Sequence, residues 1–509
     1  MFNTLLAVAE TESVINFRLP DIIVILIFLI GMALVGVYFS RKNNSTEEYF
    51  LGNRSFPGWA IGISMLGTSI SSVTFLALPA AAYVLDYRNI IPNLTLPIVA
   101  VFAIIFFIPY FRERKITSAF EFLEHRFSHW VRLYASLSFV FLQLLRLSTV
   151  LYLVSIPIAF ITGQHIILVI IIGGIFISFY TVLGGIEAVI WTDVVQTIIL
   201  LGGGIVCFGV IVTKMPEGLS QIIDIGLAHD KFSIGSFELN LNERTFFTML
   251  LIGLIGFTTE YSSNQNVIQR YIAAKSMREA RKATAICAIL SVPTWLSFFF
   301  LGTCLFAIYK VFPDQAVANM DPDQVLPYFI LTQIPAGVAG LIIAACLAAA
   351  MSSLDSSINA ISTLVTVDFL KRYISTERDD TYYLKMAKTF AMIAGTMMIL
   401  GAIAFHFIPR ESIVDLGFIL SSVFGGCILG IFLLGFFVKR IDNFSIITGM
   451  AAAIALNLYL MMSFFGWLPA KLTFVFHEYW TAALVNITLV VVACGTSLFR
   501  SPKTSTPQT

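Results

Sequence analysis

The stretch GISMLGTSISSVTFLALPAAAY, Gly62 to Tyr83, is apolar at both ends and polar in its middle. Its centre, GTSISSVT, Gly67 to Thr74, carries five hydroxyl side chains, and Pro79 follows. Glycine, β-branched residues and hydroxyls all weaken a helix at that point. At membrane depth, non-helical backbone is tolerated only where it is buried in protein or lines a cavity. The segment therefore reads as a membrane helix interrupted half-way, with a merely kinked packing helix as the plainer alternative. Transporters built from inverted repeats bind substrate and ion at breaks of this kind.

The rest of the chain supports a membrane setting. It has 509 residues, of which 58% are hydrophobic and 12% charged, with a mean hydropathy of +0.88. A water-soluble globule cannot hide that much apolar surface. The net charge of +1 gives nucleic acid nothing to hold. The six cysteines, Cys207, Cys287, Cys304, Cys346, Cys427 and Cys494, all fall in apolar stretches without a CxxC, and read as small reduced hydrophobes. MFNTLLAVAE lacks a basic n-region, so no cleavable signal peptide is expected.

A span needs about 20 apolar residues. Thirteen segments qualify, near 20–40, 57–82, 90–111, 130–160, 165–184, 188–213, 245–262, 283–310, 334–366, 386–407, 413–437, 443–466 and 478–499. With the N-terminus outside, the inner loops collect RK at 41–42, RERK at 112–115, RYIAAKSMREARK at 270–282, KR at 371–372 and KR at 439–440. In that layout 22 of the 31 Lys/Arg lie inside, a bias that supports both the number and the direction of the spans. The tail 500–509 then falls in the cytoplasm. No GxxxxGK[ST] appears, so an ion gradient is the expected energy source.

Ionisable groups within spans are costly and point to function. The candidates are Arg146, Asp193, Glu260 and Asp355, with Glu187 near a boundary. Asp355 lies in AAAMSSLDSSINAISTL, Ala348 to Leu364, where Ser352, Ser356 and Asn359 stack on one helix face. Serines alone would suit close packing or bonding to the carbonyl four residues back. An aspartate among them favours a cation or proton site, because hard cations prefer oxygen ligands. Asp193 sits just after Gly184 and Gly185, which permit a tight turn; it reads as a cation ligand or an ion-pair partner. Arg146 lies about fourteen residues from the nearer end of its helix, too deep to snorkel. It suits a substrate carboxylate, bound bidentately, or an internal Asp or Glu. Glu260 has no partner legible in the sequence.

Four motifs together resemble the sodium:solute symporter family: EEYFLGNRSFPGWAIGISMLGTSISS, GGIEAVIWTDVVQ, NVIQRYIAAKS and AAAMSSLDSSINAISTL. They occur in that family's order and spacing over nearly the whole chain, and are most similar to its bacterial sialic acid transporter branch. The resemblance implies an all-α LeuT-type fold of about thirteen spans. Two inverted five-helix repeats would lie near 57–213 and 245–437, with extra helices near 20–40, 443–466 and 478–499. It implies a main sodium site on Gly67, Ile70, Ala349, Ser352 and Ser353. A second would fall on Asp193, Ser352, Asp355 and Ser356. There the chain departs from the branch, which has a serine where Asp355 stands; a second carboxylate could strengthen the site or take a proton.

By the same resemblance, Arg146 would hold a substrate carboxylate, with Ser69, Ser71 and Thr74 facing the substrate. Asn93 replaces a glutamine, and Asn89 an aromatic. The expected function is sodium-coupled import of an anionic sugar by alternating access. Sialic acid comes first, then a uronate or other sugar acid, a neutral sugar, proline or another carboxylate. A sensor or channel is a distant alternative, and no catalytic constellation suggests an enzyme. The expected setting is a bacterial inner membrane, with sodium and lipid as partners, and the expected working unit is a monomer.

Overall fold

The computed structural model describes residues 18–41, 44–70, 72–114, 116–238, 240, 243–375, 377–408, 425–474 and 480–499. Among them the chain is helical, and its one extended pairing is an isolated parallel bridge between Phe56 and Ala274. We label the helices used below α1 (Leu19–Ser40), α2 (Thr46–Leu51), α3 (Gly58–Ser69), α4 (Ser72–Val84), α5 (His129–Thr162), α6 (Ile166–Lys214), α7 (Phe246–Ser263), α8 (Gln265–Ala273), α9 (Met277–Val311), α10 (Val338–Leu364) and α11 (Asp380–His406).

The expected interruption is present. α3 stops at Ser69, and Ile70 leaves the helix with φ −93° and ψ 82°. The two halves are bent by 51° across the break. The turn expected at Gly184–Gly185 is also present: Gly185 has φ 58° and ψ −160°, so α6 is two helices run together. Among the described residues nine helices are long and apolar enough to cross a membrane, or ten with the bent pair as one span. The expected count of thirteen is therefore not reached. It would require α6 and α7 to be counted as three spans and 413–437 as another, and 413–424 lie outside the described residues.

Burial sorts the helices into centre and rim. In the apolar window of α10, extended to Ile374, 83% of residues are buried, against 22% for α1. α10 packs on α1, α3, α4, α5, α6 and α11, so the residues of AAAMSSLDSSINAISTL face protein on all sides. A helix hydrophobic all round belongs in a core; one with hydroxyls all round survives there only by pairing them.

α9 carries both halves of the broken helix. Glu279, on α9, accepts from the Gly58 backbone N at 2.6 Å and so caps α3, whose own N-cap is Pro57 and offers no side chain. At the other end, a Cβ on Gly302 would run into the Pro79 carbonyl, so α9 and α4 meet backbone to backbone. The last carbonyls of α4 are closed by Lys231, whose Nζ donates to Ala82 O, Tyr83 O and Leu85 O at 3.3, 2.6 and 3.0 Å. Arg112 does the same for α8, donating from Nη1 to Tyr271 O, Ile272 O and Ala274 O.

Candidate functional site

Where α3 ends, it meets the middle of α10. Gly67 is there because the space beside it is taken: a Cβ would collide with Thr197 Oγ1 and come within 3.2 Å of Ser352 Oγ. Ser353 Oγ donates to the Thr68 carbonyl at 3.1 Å, across the two helices. Ala349 and Ser352 are buried one turn apart on the same stretch of α10. Gly67, Ile70, Ala349, Ser352 and Ser353 thus fall on two elements that touch at the break. A helix terminus presenting backbone carbonyls to hydroxyls on a neighbour is a constellation of oxygen ligands suited to a small hard cation.

Asp193, Asp355 and Ser356 gather beside them. Asp193 and Asp355 are both 0% exposed. Ser352 Oγ donates to Asp193 Oδ1, and Ser64 Oγ donates to Asp193 Oδ2 at 2.5 Å. Tyr180 donates its hydroxyl to Asp355 Oδ2 at 3.0 Å, and Ser356 Oγ lies 3.3 Å from Asp355 Oδ1.

One residue in this cluster was expected elsewhere. Arg270, which charge position along the chain puts in an inner loop beginning RYIAAKS, is instead 1% exposed and on α8. Its Nη2 donates to Asp193 Oδ2 at 2.9 Å, Ser356 Oγ at 2.7 Å and Thr68 Oγ1 at 2.8 Å. Its Nε donates to Ser64 Oγ at 2.9 Å and its Nη1 to the Asn266 carbonyl at 2.9 Å. The ion-pair reading of Asp193 thereby gains its partner. Tyr180, Ser64 and Thr68 also belong to the cluster. The available signal was the run NVIQRYIAA, all of which is buried: an arginine amid that many apolar residues needs an internal acceptor.

Arg146 presents the opposite case. It is partly buried on α5 and makes no hydrogen bond or ion pair with any described residue. The internal acids that could have neutralised it are engaged elsewhere: Glu260 accepts from Asn264 Nδ2 at 2.7 Å, Asp193 from Arg270 and Asp355 from Tyr180. α5 packs against α4, which carries Thr74, itself 8% exposed. Ser69 spends its hydroxyl proton on the Met65 carbonyl at 2.9 Å. Asn93 sits in the 3-10 segment Tyr87–Thr95, which packs on α7 and α9. Ser71 lies outside the described residues.

Comparison with known proteins gives this arrangement a context. The sodium:solute symporter family pattern matches residues 49–453. The sodium/sialic acid symporter SiaT of Proteus mirabilis is 36% identical over 428 residues, 84% of this chain and 86% of that protein. The sodium/sialic acid symporter NanT of Aliivibrio fischeri is 32% identical over 445 residues, 87% of this chain and 88% of that one. A Na+-coupled sialic acid symporter solved in a substrate-bound, outward-open state superposes with a TM-score of 0.87 at 32% identity, covering 96% of this chain and 99% of its own. The nucleobase–cation symporter Mhp1 shares the fold at 14% identity, with a TM-score of 0.56 over 90% of this chain and 95% of that one.

Proposed function

The chain belongs to the sodium:solute symporter family and is a sodium-coupled transporter rather than an enzyme, and from that premise we propose that it imports sialic acid, an anionic sugar. The observation that carries this reading is Arg146, a membrane guanidinium without an internal partner among the described residues. An unpaired charge inside a bundle is costly, so the site is complete only with an anion in it. A carboxylate meets the guanidinium in a bidentate pair, and relatives at 36% and 32% identity are named for a sugar that bears one.

The mechanism follows from the break in the first core helix. Na+ binds to the carbonyls of Gly67, Ile70 and Ala349 and the hydroxyls of Ser352 and Ser353, tying α3 to α10. That contact stabilises the outward-facing state and shapes the pocket between the repeats near 57–213 and 245–437. The substrate carboxylate pairs with Arg146, while its polar groups meet Ser69, Ser71, Thr74 and Asn93. Each ligand favours the state that the other binds, which is what coupling requires. The N-terminus lies outside and the C-terminus in the cytoplasm of a bacterial cell, and one chain is the working unit.

Charge sets the stoichiometry. One Na+ with one carboxylate moves no net charge. A second Na+ at Asp193, Ser352, Asp355 and Ser356 restores one net charge per cycle. Across 100 mV that charge supplies about 2.3 kcal/mol, roughly a fortyfold accumulation.

The test is uptake of labelled sialic acid into proteoliposomes with an inward Na+ gradient or an equal K+ gradient. Sodium-driven uptake with inward current is expected. Sodium-driven uptake without current would remove the second ion. Uptake no greater in Na+ than in K+ would overturn the reading, and sodium-driven uptake of uronates but not of sialic acid would keep the symporter and replace its substrate.

A further inference from the structure

Arg270 is fixed in a way that a simple structural ion pair does not require. Nη2 bears two hydrogens, yet three acceptors lie within 2.9 Å of it: Asp193 Oδ2, Ser356 Oγ and Thr68 Oγ1. Each hydroxyl has its shortest acceptor for its own proton on the backbone, Thr68 on Ser64 O at 3.0 Å and Ser356 on Ser352 O at 2.8 Å. A guanidinium offers no acceptor, so both hydroxyls accept from it. The acceptors come from α6, α10 and α3, so this one nitrogen joins three helices at the break. With more acceptors than hydrogens, the donor can leave one and keep another at small cost.

Two of those acceptors, Asp193 and Ser356, belong to the second sodium position of the proposed function. An N–H and a Na+ ion compete for the same lone pairs, and their charges repel at contact distance. The buried cluster also holds two carboxylates, Asp193 and Asp355, against one guanidinium. With both ionised it is one positive charge short, and a single Na+ balances it.

We propose that Arg270 is a tethered competitor for the second sodium ion: its Nη2 holds Asp193 and Ser356 in the sodium-free transporter and withdraws onto Thr68 when Na+ arrives. Nε and Nη1 keep Ser64 and Asn266 throughout, so the side chain need not leave its pocket. The guanidinium spares the returning empty carrier a bare buried carboxylate at Asp193. Its positive charge also keeps Na+ bound weakly enough to be released on the side where the ion is scarce. The proposal rests on the second sodium position, which the current accompanying sodium-driven uptake tests separately.

The experiment is thermal unfolding of the purified full-length protein across a NaCl series, with KCl holding ionic strength constant, for wild type, Arg270→Gln and Thr68→Val. Wild type stabilised by Na+ is the premise; equal melting in both salts would sink the sodium reading itself. Given that premise, Arg270→Gln is expected to melt low in K+ and recover in Na+, at a half-effective Na+ at least tenfold below wild type. In proteoliposomes its half-saturating Na+ and its maximal uptake rate fall together, a split that lost packing alone does not produce. Thr68→Val removes the refuge for Nη2 and is expected to weaken Na+ several-fold, whereas a purely structural hydroxyl would lower melting equally at every Na+ concentration. An unchanged or weakened Na+ midpoint in Arg270→Gln overturns the proposal. If Arg270→Gln is not recovered folded in either salt, Thr68→Val decides, and an unmoved midpoint overturns it.

Discussion

Arg270 and Arg146 both lie within the helical bundle, and their surroundings differ in kind. Arg270 is 1% exposed, with every guanidinium nitrogen bonded to a named partner. Arg146 is partly buried and has none among the described residues. The first is part of the protein's own charge balance; in the proposed function the second is balanced by the substrate carboxylate. Depth in the bundle therefore does not identify a binding residue. The state of its partners does.

Asp193→Asn tests the satisfied side of this contrast most severely. It removes the countercharge of Arg270 and is expected to cost about 3–5 kcal/mol, read as a large drop in melting temperature in K+; an unchanged melt would deny that the pair matters to the fold. Arg146→Ala tests the other side. Uptake is expected to fall about a hundredfold, since truncating a charged, bidentate contact costs about 2–5 kcal/mol. Sodium-dependent thermal stabilisation should survive, and its loss would return Arg146 to the structural class. Ser353→Ala sharpens the boundary between them, because it touches the α3–α10 contact and neither arginine. Its half-saturating Na+ should rise about tenfold, the loss of one ligand at about 1.4 kcal/mol, with little change in substrate affinity at saturating Na+. Ser64→Ala is the mildest. It deletes one acceptor of Arg270 and one donor to Asp193 and should cost about 1–2 kcal/mol in melting, with substrate affinity unmoved.

Much of this was legible in the chain. The break near Gly67–Thr74 was readable because helix-weakening residues have no reason to cluster at membrane depth unless the backbone leaves the helix there. The turn at Gly185 was readable for a similar reason: a positive φ suits glycine. The partner of Asp193 is not legible in the sequence, because it lies 77 residues away on a short helix. The positive-inside rule counts Lys and Arg by position near span ends, so it assigned Arg270 to a loop, although the nine residues of α8 are all buried. The isolation of Arg146 could not be read at all, since it depends on where Glu260, Asp193 and Asp355 turn instead.

The grip of α9 on both halves of the broken helix has a mechanical consequence. Glu279 holds the start of α3, and the Gly302–Pro79 contact leaves no room for sliding at α4. Bend and support should travel as one rigid lever, with the 51° angle preserved through the cycle. The seam that opens is then the one between α3 and α10, where the hydroxyl-to-carbonyl bond from Ser353 to Thr68 and the Thr68–Ser356 hydroxyl contact cross beside the proposed ion ligands. Spin labels on α3 and α9 would keep their separation while labels on α3 and α10 drift apart, and the ion would act as a removable rivet across the moving joint.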